Sequence, residues 1–239
     1  MSNTGLSLIY PVYNEADILL GNLRTTVAYL DEQDFKWEII LVNNGSTDSS
    51  KEILDDITRL SPHIKVINLD RKGLGLAIKA GIQNSSFDIA MFYAIDLPFG
   101  LKIIEESYRA IQDNDIAIAI GSKSHPDSIN KAPLKRKFVS RIYNLLLRTL
   151  FKLKIKDTQG SLIFDKRSLA SVLPYCEAND PFYCTQMVIY SVKLGLKVAE
   201  IPVIYNSPRQ NSKINMIKDS SVMLNQLINE YLKFKRLQA

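Results

Sequence analysis

Through its first 120 positions the chain alternates short apolar runs with longer amphipathic stretches. Residues 6–10 (LSLIY), 37–42 (WEIILV), 64–69 (IKVINL), 87–93 (FDIAMFY) and 116–120 (IAIAI) are almost continuously hydrophobic. Strands buried on both faces of a parallel sheet have this character. Between them, residues 16–30, 48–60, 74–83 and 101–112 carry apolar positions at helical spacing. Strand and helix signals in strict alternation predict an α/β fold, a mostly parallel central sheet flanked by helices.

Beyond residue 120 the rhythm changes. A polar loop (GSKSHPDSINKAP) leads into residues 134–152, which mix apolar and basic positions. A short strand-like SLIF, a helix over residues 182–194 and a strand over residues 197–204 are expected next. A last helix, about residues 217–237, places Val222, Leu227, Ile228, Tyr231 and Leu232 on roughly one stripe. No internal repeat or low-complexity linker divides the chain. Residues 1–215 are therefore expected to form one domain, with residues 216–239 as a C-terminal amphipathic helix.

Composition narrows this picture little, but charge placement narrows it more. A hydrophobic share of 46% with 23% charged residues is that of a folded globular protein, not a disordered one. No apolar run reaches the roughly 18 residues of a spanning helix, and MSNTGLSLIYPVYNE lacks the build of a secretory leader. A cytoplasmic protein is expected, with Cys176 and Cys184 as buried free thiols. The net charge is +5, yet residues 128–156 alone hold nine basic side chains and no acid. The remainder is net acidic, so the basicity belongs to one segment. Leu134, Phe138, Val139, Ile142, Leu145, Leu146, Leu150 and Phe151 recur within it near helical spacing. Two readings stand: a core-packed helix with a cationic outer face, or an interfacial helix on anionic lipid. No recognition motif supports a nucleic-acid partner.

Ligands of open α/β sheets gather at the carboxyl ends of the strands. Here those ends hold Pro11, Tyr13, Asn14 and Glu15; then Asn43, Asn44, Gly45, Ser46, Thr47 and Asp48. After them come Arg71, Lys72, Gly73 and Gly75, and finally Ile95 and Asp96. Taken singly, Asn44, Gly45, Ser46 and Asp48 are also a turn and a helix cap, and Asp96 also suits a cap. The glycine pair has neither dinucleotide nor P-loop spacing. Four polar ends on one sheet edge argue for a site.

These residues, in order, resemble the family-two glycosyltransferases of the GT-A fold, above all the dolichyl- or polyprenyl-phosphate sugar synthases. Residues 10–15 (YPVYNE) match the P-x-Y-N-E opening. Residues 43–48 (NNGSTD) match D-D-G-S-T-D with both leading acids replaced by amides. Residues 72–77 (KGLGLA), 121–123 (GSK) and 157–160 (DTQG) match later motifs, as do Pro202-Val203, Arg209 and Ser212-Lys213. The resemblance spans about residues 5–215.

It implies transfer of a hexose from a UDP- or GDP-sugar to a polyprenyl or dolichyl phosphate, with inversion. A family-two transferase with a glycan or protein acceptor, and a weakly active sugar-nucleotide binder, are its alternatives. The roles it implies place the nucleotide at Pro11, Tyr13, Asn14, Glu15, Val42, Asn44, Lys72, Ile95 and Asp96. Asn44 both donates and accepts where an Asp only accepts. Lys123, Arg209 and Lys213 supply cations for catalysis, together with Asp96. Asp157, Gln159, Arg136 and Gln186 fall on the acceptor side. His125 follows Gly121-Ser122-Lys123 in the sequence and suits either a phosphate contact or an exposed loop. The family's D-x-D metal motif reads Ala94-Ile95-Asp96, leaving Asp96 as the one carboxylate for Mg²⁺ or Mn²⁺, weakly held. Gln186 stands where the family often has Glu. An anionic membrane surface, reached peripherally from the cytoplasmic face or through a membrane-protein partner, completes the expectation.

Overall fold

The computed structural model describes residues 3–57, 61–206 and 216–238. Seven strands build the main sheet: β1 (Leu6–Val12), β2 (Trp37–Asn44), β3 (Ile64–Leu69), β4 (Ile89–Phe92), β5 (Ile118–Ser122), β7 (Ser161–Asp165) and β8 (Val198–Pro202). Their order is β3-β2-β1-β4-β7-β5-β8. All neighbours run parallel except β7, which is antiparallel to both β4 and β5. A second sheet pairs two short strands in parallel, β6 (Ile129–Asn130) and β9 (Ile204–Tyr205).

Burial on both faces follows from the period of two along each strand. Leu6, Leu8, Tyr10 and Val12 of β1 join one core, while Ile9 points into the other. The first core is closed by α1 (Leu19–Asp31), α2 (Ser50–Ile57) and α4 (Lys102–Asn114). The second is closed by α3 (Leu74–Asn84), α6 (Lys166–Leu169) and α7 (Phe182–Lys193). A third cluster unites α5 (Leu134–Phe151), α7 and α8 (Met216–Gln238) through Leu147, Phe151, Phe182, Ile189, Leu227 and Phe234.

At the amino edge of the sheet Glu38 is buried, accepting from Ser7 Oγ at 2.7 Å and pairing with Lys65 at 2.7 Å. Ser86 adds its N–H and Oγ, so one carboxylate joins β1, β2, β3 and the turn before β4.

Several expected elements change on folding. The strand over residues 197–204 divides into β8 and β9, which belong to different sheets. The polar loop after β5 contains β6. The apolar stripe of α8 splits, with Leu227 buried and Tyr231 packed beside it, while Val222, Ile228 and Leu232 are exposed. The segment after residue 134 divides as well. Leu146, Leu147, Leu150 and Phe151 face the third cluster, whereas Leu134, Phe138, Val139, Ile142 and Leu145 are exposed. The core-packed reading of that helix therefore holds for one face, and the other face is exposed.

Candidate active site

The carboxyl ends of β1, β2 and β4 lie side by side, with Pro11 opposite Val42 and Val12 opposite Asn43. Asn14 sits at φ 56 and ties the first two ends together. Its Oδ1 accepts from Thr47 N at 2.8 Å, its Nδ2 donates to Thr47 Oγ1 at 3.1 Å, and its N–H donates to Ser46 Oγ. Glu15 N donates to Ser50 Oγ, and Asp48 accepts from the N–H groups of Ser50 and Ala16. The cap reading of Asp48 thus holds, and the same carboxylate also fixes the first loop.

Asn43 and Asn44 differ in what they leave open. Asn43 accepts from Ser46 N at 3.0 Å and donates to Asn68 Oδ1 at 2.9 Å. Asn44 accepts from Gly73 N at 2.7 Å. Beside it the Lys72 ammonium lies over the Tyr13 ring, 3.9 Å from its centroid. The loop of Lys72 and Gly73 thus touches both the Tyr13 ring and the end of β2.

The glycines that follow serve packing. A Cβ on Gly73 would meet the Asn179 carbonyl at 2.6 Å, and one on Gly75 the Ala178 carbonyl at 2.6 Å. Residues 177–180 cross the start of α3 as a strap, with Asn179 O accepting from Gly75 N at 3.0 Å. Lys79 holds the strap by donating to Glu177 O and Asn179 Oδ1.

After β4 the chain turns sharply around Asp96. Leu97 adopts φ 50, a left-handed conformation that costs a bulky side chain and is kept only where neighbours enforce it. Here the enforcing groups are visible. Tyr93 Oη donates to Gly100 O at 2.7 Å and accepts from Phe99 N, and Asn22 Nδ2 donates to the carbonyl of buried Ile95 at 2.8 Å. Burial pushes the Tyr93 phenol far up, which keeps it a protonated donor. The residue preceding α4 is Leu101, without a side-chain cap, so Asp96 does not cap that helix.

Lys123, at the end of β5, is the cation of the other side. Its ammonium pairs with Asp157 at 3.3 Å and donates to Gln159 O at 3.2 Å. Asp157 is 2% exposed and accepts from Lys123 N and Gln159 N. Behind it stands Glu200 of β8, a residue the sequence did not single out. Glu200 accepts from Ser122 Oγ at 2.6 Å and from the N–H groups of Lys156 and Asp157. An acid in the middle of the VAEIPV strand was the available signal. His125 stays within its own loop, accepting from Asp127 N at 3.2 Å.

Gln186 is buried away from this set. Its Oε1 accepts from Ala178 N, and its Nε2 donates to Glu230 of α8, both at 2.8 Å. Tyr190 Oη also donates to Glu230. The neighbour Thr185 is the α7 residue that meets the loop of Asp157, through Thr158 Oγ1 at 3.1 Å. Arg136 is half-buried near the start of α5. Arg209, Ser212 and Lys213 lie outside the described residues.

Among the described residues, no three His, Cys, Asp or Glu side chains converge as a metal cage. A single carboxylate such as Asp96 suits a Mg²⁺ or Mn²⁺ ion only where the ion brings diphosphate oxygens and water as its other ligands. Nor is any described helix long and apolar enough to cross a membrane. The surface beyond Lys123 is nonetheless apolar. Ile129 and Ile204 are paired across β6 and β9 and exposed, and Leu134 and Phe138 of α5 are 82% and 64% exposed.

The family described as Glycosyl transferase family 2 matches residues 7–173. The chain belongs to glycosyl transferase family 2. Within that family it is 27% identical over 230 residues to glycosyltransferase AglD of Haloferax volcanii, covering 95% of this chain and 37% of that one. It is 29% identical over 214 residues to dolichyl-phosphate beta-glucosyltransferase ALG5C of Trichomonas vaginalis, covering 84% of this chain and 63% of that one. The chain thus spans less than two thirds of the length of these two relatives. Among solved structures it resembles glucosyl-3-phosphoglycerate synthase from Mycobacterium tuberculosis in complex with UDP. The TM-score is 0.71 at 16% identity, over 95% of this chain and 80% of that one. The same enzyme with Mn²⁺, UDP and glucosyl-3-phosphoglycerate gives 0.67 at 17% identity, over 94% and 77%. The seven-stranded sheet with helices on both faces is therefore the GT-A fold.

Proposed function

We propose that this family 2 transferase moves a hexose from a nucleoside diphosphate sugar to a polyprenyl or dolichyl phosphate, with inversion. The observation that carries the reading is Lys123. Its ammonium is fixed by Asp157 and Gln159 O, while the chain six to fifteen residues further on is exposed, apolar and basic. The names of the dolichyl-phosphate relatives support the acceptor class.

The chemistry suits the residues present. A phosphate monoester is largely dianionic at neutral pH, its second pKa being about 6, so the attacking oxygen needs no base. What it needs is neutralisation and alignment. The acceptor oxygen bonds to the sugar C1, the bond from C1 to the diphosphate oxygen breaks, and the nucleoside diphosphate leaves with both electrons. Tyr13, Glu15 and Asn44 hold the nucleoside, with Pro11, Val42, Lys72 and Ile95 around it. Lys123 steadies the acceptor phosphate, and Arg209 and Lys213 are the further cations that the family pattern assigns. Asp96 would hold Mg²⁺ or Mn²⁺ arriving with the diphosphate, and such an ion supplies charge neutralisation at the leaving group. With Ala94 beside it, the metal is held more weakly than by two acids.

The outward half of α5 and the β6–β9 pair form the membrane-facing surface, on the cytoplasmic side. Lys131, Lys135, Lys137, Arg141 and Arg148 accompany the exposed apolar residues there, suiting anionic headgroups. Incubating the protein with radiolabelled sugar nucleotides, divalent metal and polyprenyl phosphate tests the whole reading. Labelled lipid is the expected product. Nucleotide binding without transfer or donor hydrolysis would make the chain a sugar-nucleotide binder instead, and transfer only to a glycan or protein would remove the lipid acceptor.

A further inference from the structure

We infer that Glu200 is a positioning residue for sugar transfer: it sets the loop of Asp157 and, through that loop, the Lys123 ammonium. The inference rests on the role of Lys123 proposed above. Lys123 follows the last residue of β5, and β5 runs in the same direction as β1 and β4. The residue therefore lies at the carboxyl edge of the sheet, where ligands of such sheets gather. Its ammonium is 5.8 Å from the centre of the Phe99 ring, in the turn that carries Asp96.

Glu200 meets three donors with two oxygens. Its Oε1 accepts from Ser122 Oγ at 2.6 Å and from Asp157 N at 3.1 Å, and its Oε2 accepts from Lys156 N at 3.0 Å. One side chain of β8 thus ties the end of β5 to residues 156–160, which have no strand or helix of their own. Asp157 passes the constraint on. Its Oδ1 accepts from Gln159 N at 3.0 Å, and its Oδ2 takes both Lys123 N at 3.1 Å and Lys123 Nζ at 3.3 Å. The loop also lies hard against β5, since a Cβ on Gly160 would meet the Gly121 carbonyl at 1.9 Å. The chemical type at position 200 matters here. All three partners donate, and a carboxylate accepts at both oxygens. An amide of the same shape, in either orientation, sets its NH₂ group against the backbone N–H of Lys156 or of Asp157. The loop then gives way, and Lys123 loses its fixed place.

A double-mutant cycle on kcat tests this, with polyprenyl phosphate and radiolabelled UDP-glucose or GDP-mannose, whichever the native chain uses. Each variant of the full chain is assayed at saturating substrate, well below its own thermal transition. Glu200→Gln should lower kcat about ten-fold or more in the native background, since a misplacement of about 1 Å can cost about 10²-fold. In the Lys123→Met background the same substitution should change kcat by less than about two-fold, because the group it positions is gone. Equal losses in the two backgrounds would make Glu200 a structural tie alone, and no loss in the native background would give it no part in transfer. Either result overturns the inference while leaving the Lys123 reading standing. A Lys123→Met chain as active as the native one overturns both, as does a native chain that transfers from neither donor.

Discussion

Lys123 is paired before any substrate is present, with Asp157 at 3.3 Å, and Asp157 is in turn backed by Glu200 through Ser122 and two backbone N–H groups. A cation held this way loses little entropy when a phosphate arrives, which is what preorganised charge contributes to a transition state. Lys123→Met is expected to lower kcat for transfer by about 10²-fold, and, because it leaves the buried Asp157 carboxylate without its cation, to lower the thermal transition too, so kcat is read well below that transition. An unaltered kcat would remove Lys123 from the chemistry. A second residue gives a pH signature. Burial pushes the Glu38 carboxyl up, but hydrogen bonds from Lys65, Ser7 and Ser86 outweigh it and hold the group below its ordinary value. A depressed folded pKa adds stability above the unfolded pKa of about 4.3, lost as pH falls through the folded value. Chemical denaturation from pH 6 down to 3 should show that loss, and Glu38→Gln should flatten it.

Among the elements, α8 is joined to the rest by polar as well as apolar contacts. Glu230 is 7% exposed and takes hydrogen bonds from Gln186 and Tyr190 of α7. Glu230→Ala leaves both donors buried without that acceptor and should cost about 1–3 kcal/mol of unfolding free energy, read by urea titration. The alternating strands and helices of the first half were plain in the sequence because each apolar run is four residues or longer. The β6 and β9 strands were not, since two residues carry no periodicity. The direction of β7 was equally hidden, because SLIF reads the same whichever way its neighbours run. The site divides in the same manner. Tyr13, Asn44 and Asp96 were legible as polar residues at strand ends, and Lys123 through the family pattern alone. Glu200 was not, for a lone acid in a strand looks solvent-facing until Ser122 and Asp157 are seen around it. Gln186 stood out as a missing acid, but its partner is 44 residues away on another helix.

At the scale of the whole molecule, the strand ends that hold Tyr13 and Asn44, proposed above for the nucleoside, share one sheet edge with Lys123, and the exposed apolar surface continues from the latter. Flotation with vesicles tests that continuity. The native chain should float with anionic vesicles and less with neutral ones, and the pair Leu134→Asp and Phe138→Asp should abolish it. No flotation of the native chain with either would exclude the membrane surface. The strap over the start of α3 has a further consequence. Cys176 lies just before it and Cys184 just after it, and burial pushes both thiols up to about 12, so neither reacts while the strap is seated. Both sulfurs sit in the second core beside the strap, so the rate at which a thiol reagent labels them is expected to act as an opening clock for that region. A bound nucleotide that stabilises the seated form would slow that clock without touching either cysteine.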